Sequence, residues 1–289
     1  MNRASVYNQL NMSRKALRDY QYAIGLHLAM KEKGQTAPAM NLALLYMNKA
    51  SVLSDWGRPV AAAVLLRKAC VIFRRMYRKT PTERIQGFLV TALMQLADST
   101  QSIGDVRQAL VMSSEVMARL DQLLETMGIA EYGQIAVVAG HIHSEILLML
   151  HDPEGALRTI LHVENQVNRL VKDGQADSDF LQANVFSSHA MIASALDQAE
   201  EAEDLMIQAV NIVHRQITEG GLSERLPDWG SLRLRQAELA WKDGKRELAR
   251  ELVSDVAMQM AKREKTPYGV KCRRMARRAA QAFRKYSSF

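Results

Sequence analysis

Glycine, proline and cysteine are scarce in this chain of 289 residues, at 15, 6 and 2 copies. So few turn-forming residues exclude a large β protein, whose short strands need a turn about every 8–12 residues. Cys70 and Cys272 cannot build a disulfide framework, which points to a reducing cytoplasm. No apolar run approaches the roughly 18–20 residues of a membrane span; the longest are short pieces such as Val60–Leu66. Met1 to Leu10 alternates polar and apolar residues and lacks a signal-peptide core. There is no nucleophile motif, no glycine-rich phosphate loop and no carboxylate pair at a catalytic spacing. No catalytic residue and no cofactor is therefore assigned; together with the repeat architecture of the chain, this makes a non-enzyme the expectation. What is present is ordinary for a folded protein: 48% hydrophobic and 24% charged residues, which exclude wholesale disorder.

The dominant signal is a repeat. Ala16, Ala62, Ala109, Ala156, Ala202 and Ala249 recur every 46 or 47 residues. Twelve residues before each lie Ala4, Ala50, Ala97, Ser144, Ala190 and Ala237. Eleven of these twelve sites are alanine in a chain with 37 alanines among 289 residues, far above chance. Five residues before each second-row alanine stands a turn-like residue: Asn11, Gly57, Gly104, His151, Asp197 and Gly244. A fixed period of this size means a stacked array of one supersecondary unit.

The prolines agree. Pro38, Pro59, Pro81, Pro153, Pro227 and Pro267 all stand where a helix would begin, a position that tolerates the missing N–H. Thr80-Pro81-Thr82-Glu83 reads as a capping box with Pro81 at the first helical position, and Thr266-Pro267 repeats the threonine cap. Gly34, Gly128, Gly174 and Gly220-Gly221 fall between blocks, where helices should stop. Each block thus reads as two antiparallel helices of about 20 residues, about 30 Å long apiece. The aligned small residues let paired helices approach closely, while Tyr20, Leu66, Ile160 and Met206, four after the second-row alanines, fill the seam to the next block. No pair can bury its apolar stripe alone, so stability should come from stacking.

These residues carry a resemblance. The layout of a small residue, a turn, then Ala-x3-large-x2-small resembles the tetratricopeptide repeat. In the second block it runs Tyr46, Ala50, Leu53, Gly57, Ala62, Leu66, Ala69, and in the first Ala4, Tyr7, Ala16, Tyr20, Ala23. The period exceeds the usual 34 residues or so, as in long-helix repeats resembling those of kinesin light chains or MalT-type sensor regions. The third block departs by carrying Ser113 where a large residue is expected. The resemblance implies an all-α, right-handed solenoid of about six helix pairs. It would be a single domain with repeats at about 1–34, 35–80, 81–128, 129–174, 175–221 and 222–265, and a basic capping helix at 266–289.

In proteins of this family the first helix of each pair lines a concave groove. Carried over position by position, that puts Asn48 and Ser51, Met94, Gln95 and Asp98, His141 and Glu145, Asn184, Ser187 and Ser188, and Arg235 and Glu238 on the inner face. Asn and Gln amides can pair with an extended peptide backbone, since each offers donor and acceptor. Asp98, Glu145 and Glu238 would favour a basic or amine-bearing segment. The expectation is a protein- or peptide-binding scaffold or adaptor; the competing reading of the same positions is a solvated face. The Lys/Asn/Arg clamp that some relatives use for a terminal carboxylate is not reproduced.

His141-Ile142-His143-Ser144-Glu145 invites a metal, but only His141 and Glu145 share a helical face, and no metal site is assigned. His27, His162, His189 and His214 stand singly. Among 16 methionines, Met47, Met94 and Met191 lie on or beside the inner face, where they either fill gaps or adapt to partners.

Charge is uneven. Net charge is +7, yet residues 261–289 hold ten Lys or Arg against Glu264 alone. Cys272, Met275, Ala276, Ala279, Phe283 and Tyr286 form one apolar stripe, and Arg273, Arg274, Arg277, Arg278, Arg284 and Lys285 take the other side. This helix reads as the polar cap of the array or as a surface for nucleic acid or another acidic partner. The short first helix, about Asn2 to Leu10, reads as a cap or as the stump of a longer regulator, which would make the chain a ligand-sensing region. Partner identity and oligomeric state have no sequence signal.

Overall fold

The computed structural model describes residues 12–34, 38–172, 178–262 and 269–287. They form twelve α-helices and one 3-10 turn, with no strand among the described residues. The chain divides into two compact units, Met1–Leu150 and His151–Phe289.

The first unit holds α1 (Ser13–Glu32), α2 (Ala39–Asp55), α3 (Pro59–Lys79), α4 (Glu83–Ile103), α5 (Val106–Met127) and α6 (Ile129–Met149). The second holds α7 (Pro153–Lys172), α8 (Ser178–Ala195), α9 (Ala199–Thr218), α10 (Leu226–Lys242), α11 (Arg246–Ala261) and α12 (Gly269–Ser287), with the 3-10 turn Ser223–Arg225 ahead of α10. Within each unit every helix packs on its chain neighbour. The first helices of successive pairs also touch: α4 meets α2 and α6, and α10 meets α8 and α12. This is stacked-hairpin architecture, all-α and repetitive.

The alanine rows explain why the hairpins close. Ala16, Ala62, Ala109, Ala156 and Ala249 are 0% exposed and Ala202 is 2% exposed. Ala50, Ala97, Ala190 and Ala237 are also 0% exposed, with Ser144 at 1%; Ala4 lies outside the described residues. Within each unit, a small side chain where two helices cross keeps their backbones near and leaves no void. The larger residues four positions after the second row, Tyr20, Leu66, Ile160 and Met206, are buried as the seam requires.

The turns follow one rule. Gly57, Gly104 and Gly244 have φ of 72°, 96° and 77°, and His151 and Asp197 both have φ of 60°. All five sit between one helix and the next along the chain, where left-handed backbone stops the first so that the second can start. Glycine takes that conformation without steric cost; Asp does so better than most other residues. Asn11 lies outside the described residues.

The prolines fall at helix starts wherever they are described. Pro59 and Pro153 open α3 and α7, Pro38 is the N-cap of α2 and Pro227 is in the first turn of α10. One expected cap is displaced. Thr82, not Thr80, caps α4, its Oγ1 accepting from the Ile85 amide at 3.3 Å. Thr80 instead ends α3, donating its amide to the Met76 carbonyl at 2.9 Å. One residue cannot end a helix and cap the next, so Pro81 and an extended Thr82 make the corner. The Thr266-Pro267 cap and Gly174 lie outside the described residues.

Among the described residues no helix is long and apolar enough to cross a membrane. Cys70 and Cys272 are buried and not bridged to each other. Burial pushes the Cys70 thiol up to about 12, which makes it inert at neutral pH.

Candidate functional site

In the first unit the candidate face is built by α2, α4 and α6. Counting from the aligned small residues Ala50, Ala97 and Ser144, positions two earlier are Asn48, Gln95 and Ile142, and positions one later are Ser51, Asp98 and Glu145. Asn48 and Asp98 are exposed; Ser51, Met94, Gln95, His141 and Glu145 are half-buried. The equivalent residues of neighbouring helices therefore make a ladder. Asp98 and Glu145 are close enough to sense each other: desolvation first, then the Glu145 charge, raises the Asp98 carboxyl above its ordinary value. His141 Nε2 lies 3.3 Å from Glu145 Oε1, one helical turn away. The Oε1 of Gln95 is buried and has no hydrogen-bond partner. Met47, by contrast, is core, and Met94 packs against the same cluster. Gap filling accounts for both.

His143 turns away from this face, toward α5. Its Nδ1 is 2.8 Å from the Ser113 hydroxyl, which also reaches the Leu110 carbonyl at 3.1 Å. A hydroxyl has one proton; given to Leu110, it leaves the oxygen to accept Nδ1–H. The imidazole thus occupies the space that the small Ser113 leaves in a row of large residues. Burial lowers the His143 pKa. Above the ordinary value of 6.5 both folded and unfolded chains hold the ring neutral, and its contribution to stability is complete. As pH falls below that value the unfolded chain binds a proton that the folded chain resists, so stability drops. The variant His143→Gln keeps a donor for Ser113 but cannot titrate. Urea titrations at about pH 7 and pH 5 should show a smaller acid-induced loss in the variant than in the parent; equal losses would exclude His143 as a source.

In the second unit the face is built by α8 and α10. Arg235 Nη1 donates to Ser187 Oγ at 3.1 Å, tying α10 to α8. Ser187 and Ser188 are buried, and Ser188 Oγ donates to the Asn184 carbonyl at 3.0 Å. Asn184, Arg235 and Glu238 stay half-buried. Met191 packs on the core cluster around Met206.

His189, which stands singly in the sequence, is a packed residue, although its partners were not foreseen. It is 8% exposed, with Nδ1 3.5 Å from Glu164 of α7 and Nε2 4.0 Å from Glu201 of α9. His143 and His189 occupy equivalent positions 46 residues apart, each turned to the preceding second helix. That spacing was the available signal. Among the described residues no three His, Cys, Asp or Glu side chains converge as metal ligands would.

In α12, Cys272, Met275 and Ala279 are buried in the core of the second unit, while Arg277, Arg278 and Arg284 are exposed. The side chains of Arg273, Arg274, Phe283, Lys285 and Tyr286 lie outside the described set.

No protein-family model matches the sequence, and no curated protein matches it. Solved structures do. The apo form of RapI is similar at 12% identity and a TM-score of 0.59, over 98% of this chain and 99% of that one. NprR in complex with its cognate peptide NprX is similar at 13% identity and a TM-score of 0.55, over 100% of this chain and 76% of that one. Kinesin-light-chain repeats of Podosopora anserina, described as nearly identical TPR-like repeats, align at 18% identity and a TM-score of 0.53, over 80% of this chain and 100% of that one. At these identities the likeness concerns fold: the chain has a tetratricopeptide-like helical-repeat fold.

Proposed function

We propose that this chain is a non-enzymatic binding module that holds an extended peptide, or an extended segment of a partner protein, on the inner faces of its first helices. The observation that carries this reading is the ladder of the first unit. Asn48 and Gln95, then Ser51, Asp98 and Glu145, recur at equivalent positions on α2, α4 and α6, the first helices of successive pairs. An extended peptide lying across the helices would meet one rung after another. Gln95 supports the reading further, because a buried carbonyl oxygen without a partner costs about 1–3 kcal/mol until a donor reaches it. A peptide amide is such a donor. The mutual repulsion of Asp98 and Glu145 would be relieved by a lysine, an arginine or a terminal amine between them. The ligand is accordingly a peptide with a cationic group. The similarity to NprR, whose structure holds its cognate peptide, agrees with this reading. Two buried, unbridged cysteines agree with a reducing cytoplasm as its setting.

A peptide array probed with the whole chain tests the proposal. Hits should be enriched in Lys and Arg. Replacing Asn48, Gln95 and Asp98 together should weaken a hit peptide by at least about tenfold in titration calorimetry, roughly 1.4 kcal/mol. Asp98→Asn alone should erase the preference for basic peptides. Binding unchanged in the triple variant would move the site off these faces.

A further inference from the structure

The basic face of α12 plays no part in peptide capture, and we infer that it is a docking surface for the phosphate backbone of duplex DNA. Between Gly269 and Ser287 the helix carries Lys271, Arg273, Arg274, Arg277, Arg278, Arg284 and Lys285, with no Asp or Glu. Those cations span about 21 Å of helix, the length of about six base pairs. Helical register sets positions 273, 277 and 284 along one line and 274, 278 and 285 along another, on either side of the exposed Gln281. Two parallel lines of basic positions along one helix suit the two phosphate strands that border a groove.

Three observations select duplex DNA. Three of the cations are free of acidic partners: Arg277, Arg278 and Arg284 are exposed, and among the described residues none of them pairs with an acidic residue of α10 or α11, the helices on which α12 packs. Asp255 of α11 is paired with Arg233 of α10 at 3.4 Å. On the apolar side of α12, Cys272, Met275 and Ala279 are buried in the core of the second unit, with Ala276 and Ala282 packed against them. An amphipathic helix binds a membrane by inserting its apolar side, so an anionic bilayer is the poorer match. No aromatic side chain stands between the arginines of the basic face, so bases of a single strand would find nothing on which to stack. The wide major groove of B-DNA leaves room for a helix side, whereas that of duplex RNA is deep and narrow. Contacts limited to phosphates give binding without sequence preference.

Fluorescence anisotropy of the whole chain with a labelled DNA duplex of about 20 base pairs tests this. With about five phosphates neutralised, the slope of log K against log salt should be about −4.5. The affinity should then fall about 10²–10³-fold between about 50 and 200 mM salt. The triple variant Arg277→Gln, Arg278→Gln, Arg284→Gln should flatten the slope by about 2.7, and each single variant by about 0.9. A control carrying Arg75→Gln, Arg78→Gln and Arg107→Gln removes the same charge from exposed positions of the first unit and should bind as the parent does. A salt-independent affinity would overturn the inference. So would equal loss in the control, or tighter binding to phosphatidylserine vesicles, duplex RNA or a single strand of the same length. Binding of peptides from the array is a separate readout that the α12 variants should leave unchanged.

Discussion

Truncating Phe73 to alanine should destabilise the chain by about 3–5 kcal/mol. Phe73 sits on α3 with no exposed surface, in the core cluster that links α2, α3, α4 and α5. Its ring stacks on that of Phe88 of α4, with centroids 5.7 Å apart and planes 20° off parallel. Removing it forfeits the transfer energy of an aromatic side chain, and the rest is the cost of a cavity that rigid helices cannot close. Urea denaturation should show a lower midpoint with little change in slope, because the folded chain stays compact. Val71 provides the comparison: it is on the same helix but 65% exposed, and Val71→Ala should move the midpoint hardly at all. A loss below about 1 kcal/mol for Phe73→Ala would mean that this seam is not closely packed.

The second large effect comes from adding atoms. Ala97→Leu should cost about 1–3 kcal/mol or more, although leucine is nearly as good a helix former as alanine. Ala97 shares a buried cluster with Ala109 of α5 and Ile146 of α6, and all three are 0% exposed. A leucine there must push α5 or α6 outward, and the strain passes along the stack because each pair rests on the next. Ala61→Leu, at an exposed position on α3 beside the buried Ala62, makes the same chemical change where there is room. It should be nearly neutral. If both variants melt alike, the alanine rows are not the crossing points of the hairpins.

Much of the architecture was legible because its requirements repeat. A helix crossing needs a small residue in each turn of the array, and the turn needs left-handed backbone; both demands fall on single positions every 46 or 47 residues. Gly57, Gly104 and Gly244 announce themselves, and His151 and Asp197 follow from register. Helix ends were less legible. Thr80 and Thr82 are both good caps, and only the course of α3 decides which one is used.

The candidate site divides the same way. Helical spacing put Asn48, Gln95, Asp98 and Glu145 on one side of their helices, and they stand there half-buried or exposed. Ser188 was chosen by the same spacing but is buried, its hydroxyl bonded to the Asn184 carbonyl. Polar residues at the edge of a helical face go in or out by a few degrees of helix rotation, which neighbouring helices set.

By itself, then, the amino-acid sequence determined the helices, their pairing, the buried rows and the turns, because each depends on the type of residue at one recurring position. Only the tertiary structure decided which side chains act on one another across helices: His143 with Ser113, His189 between Glu164 and Glu201, Asp98 in the field of the Glu145 charge. Those encounters join residues that are 12 to 47 positions apart. They depend on how far each helix is turned and shifted when its whole apolar stripe is packed, a sum over many weak contacts that no single residue encodes.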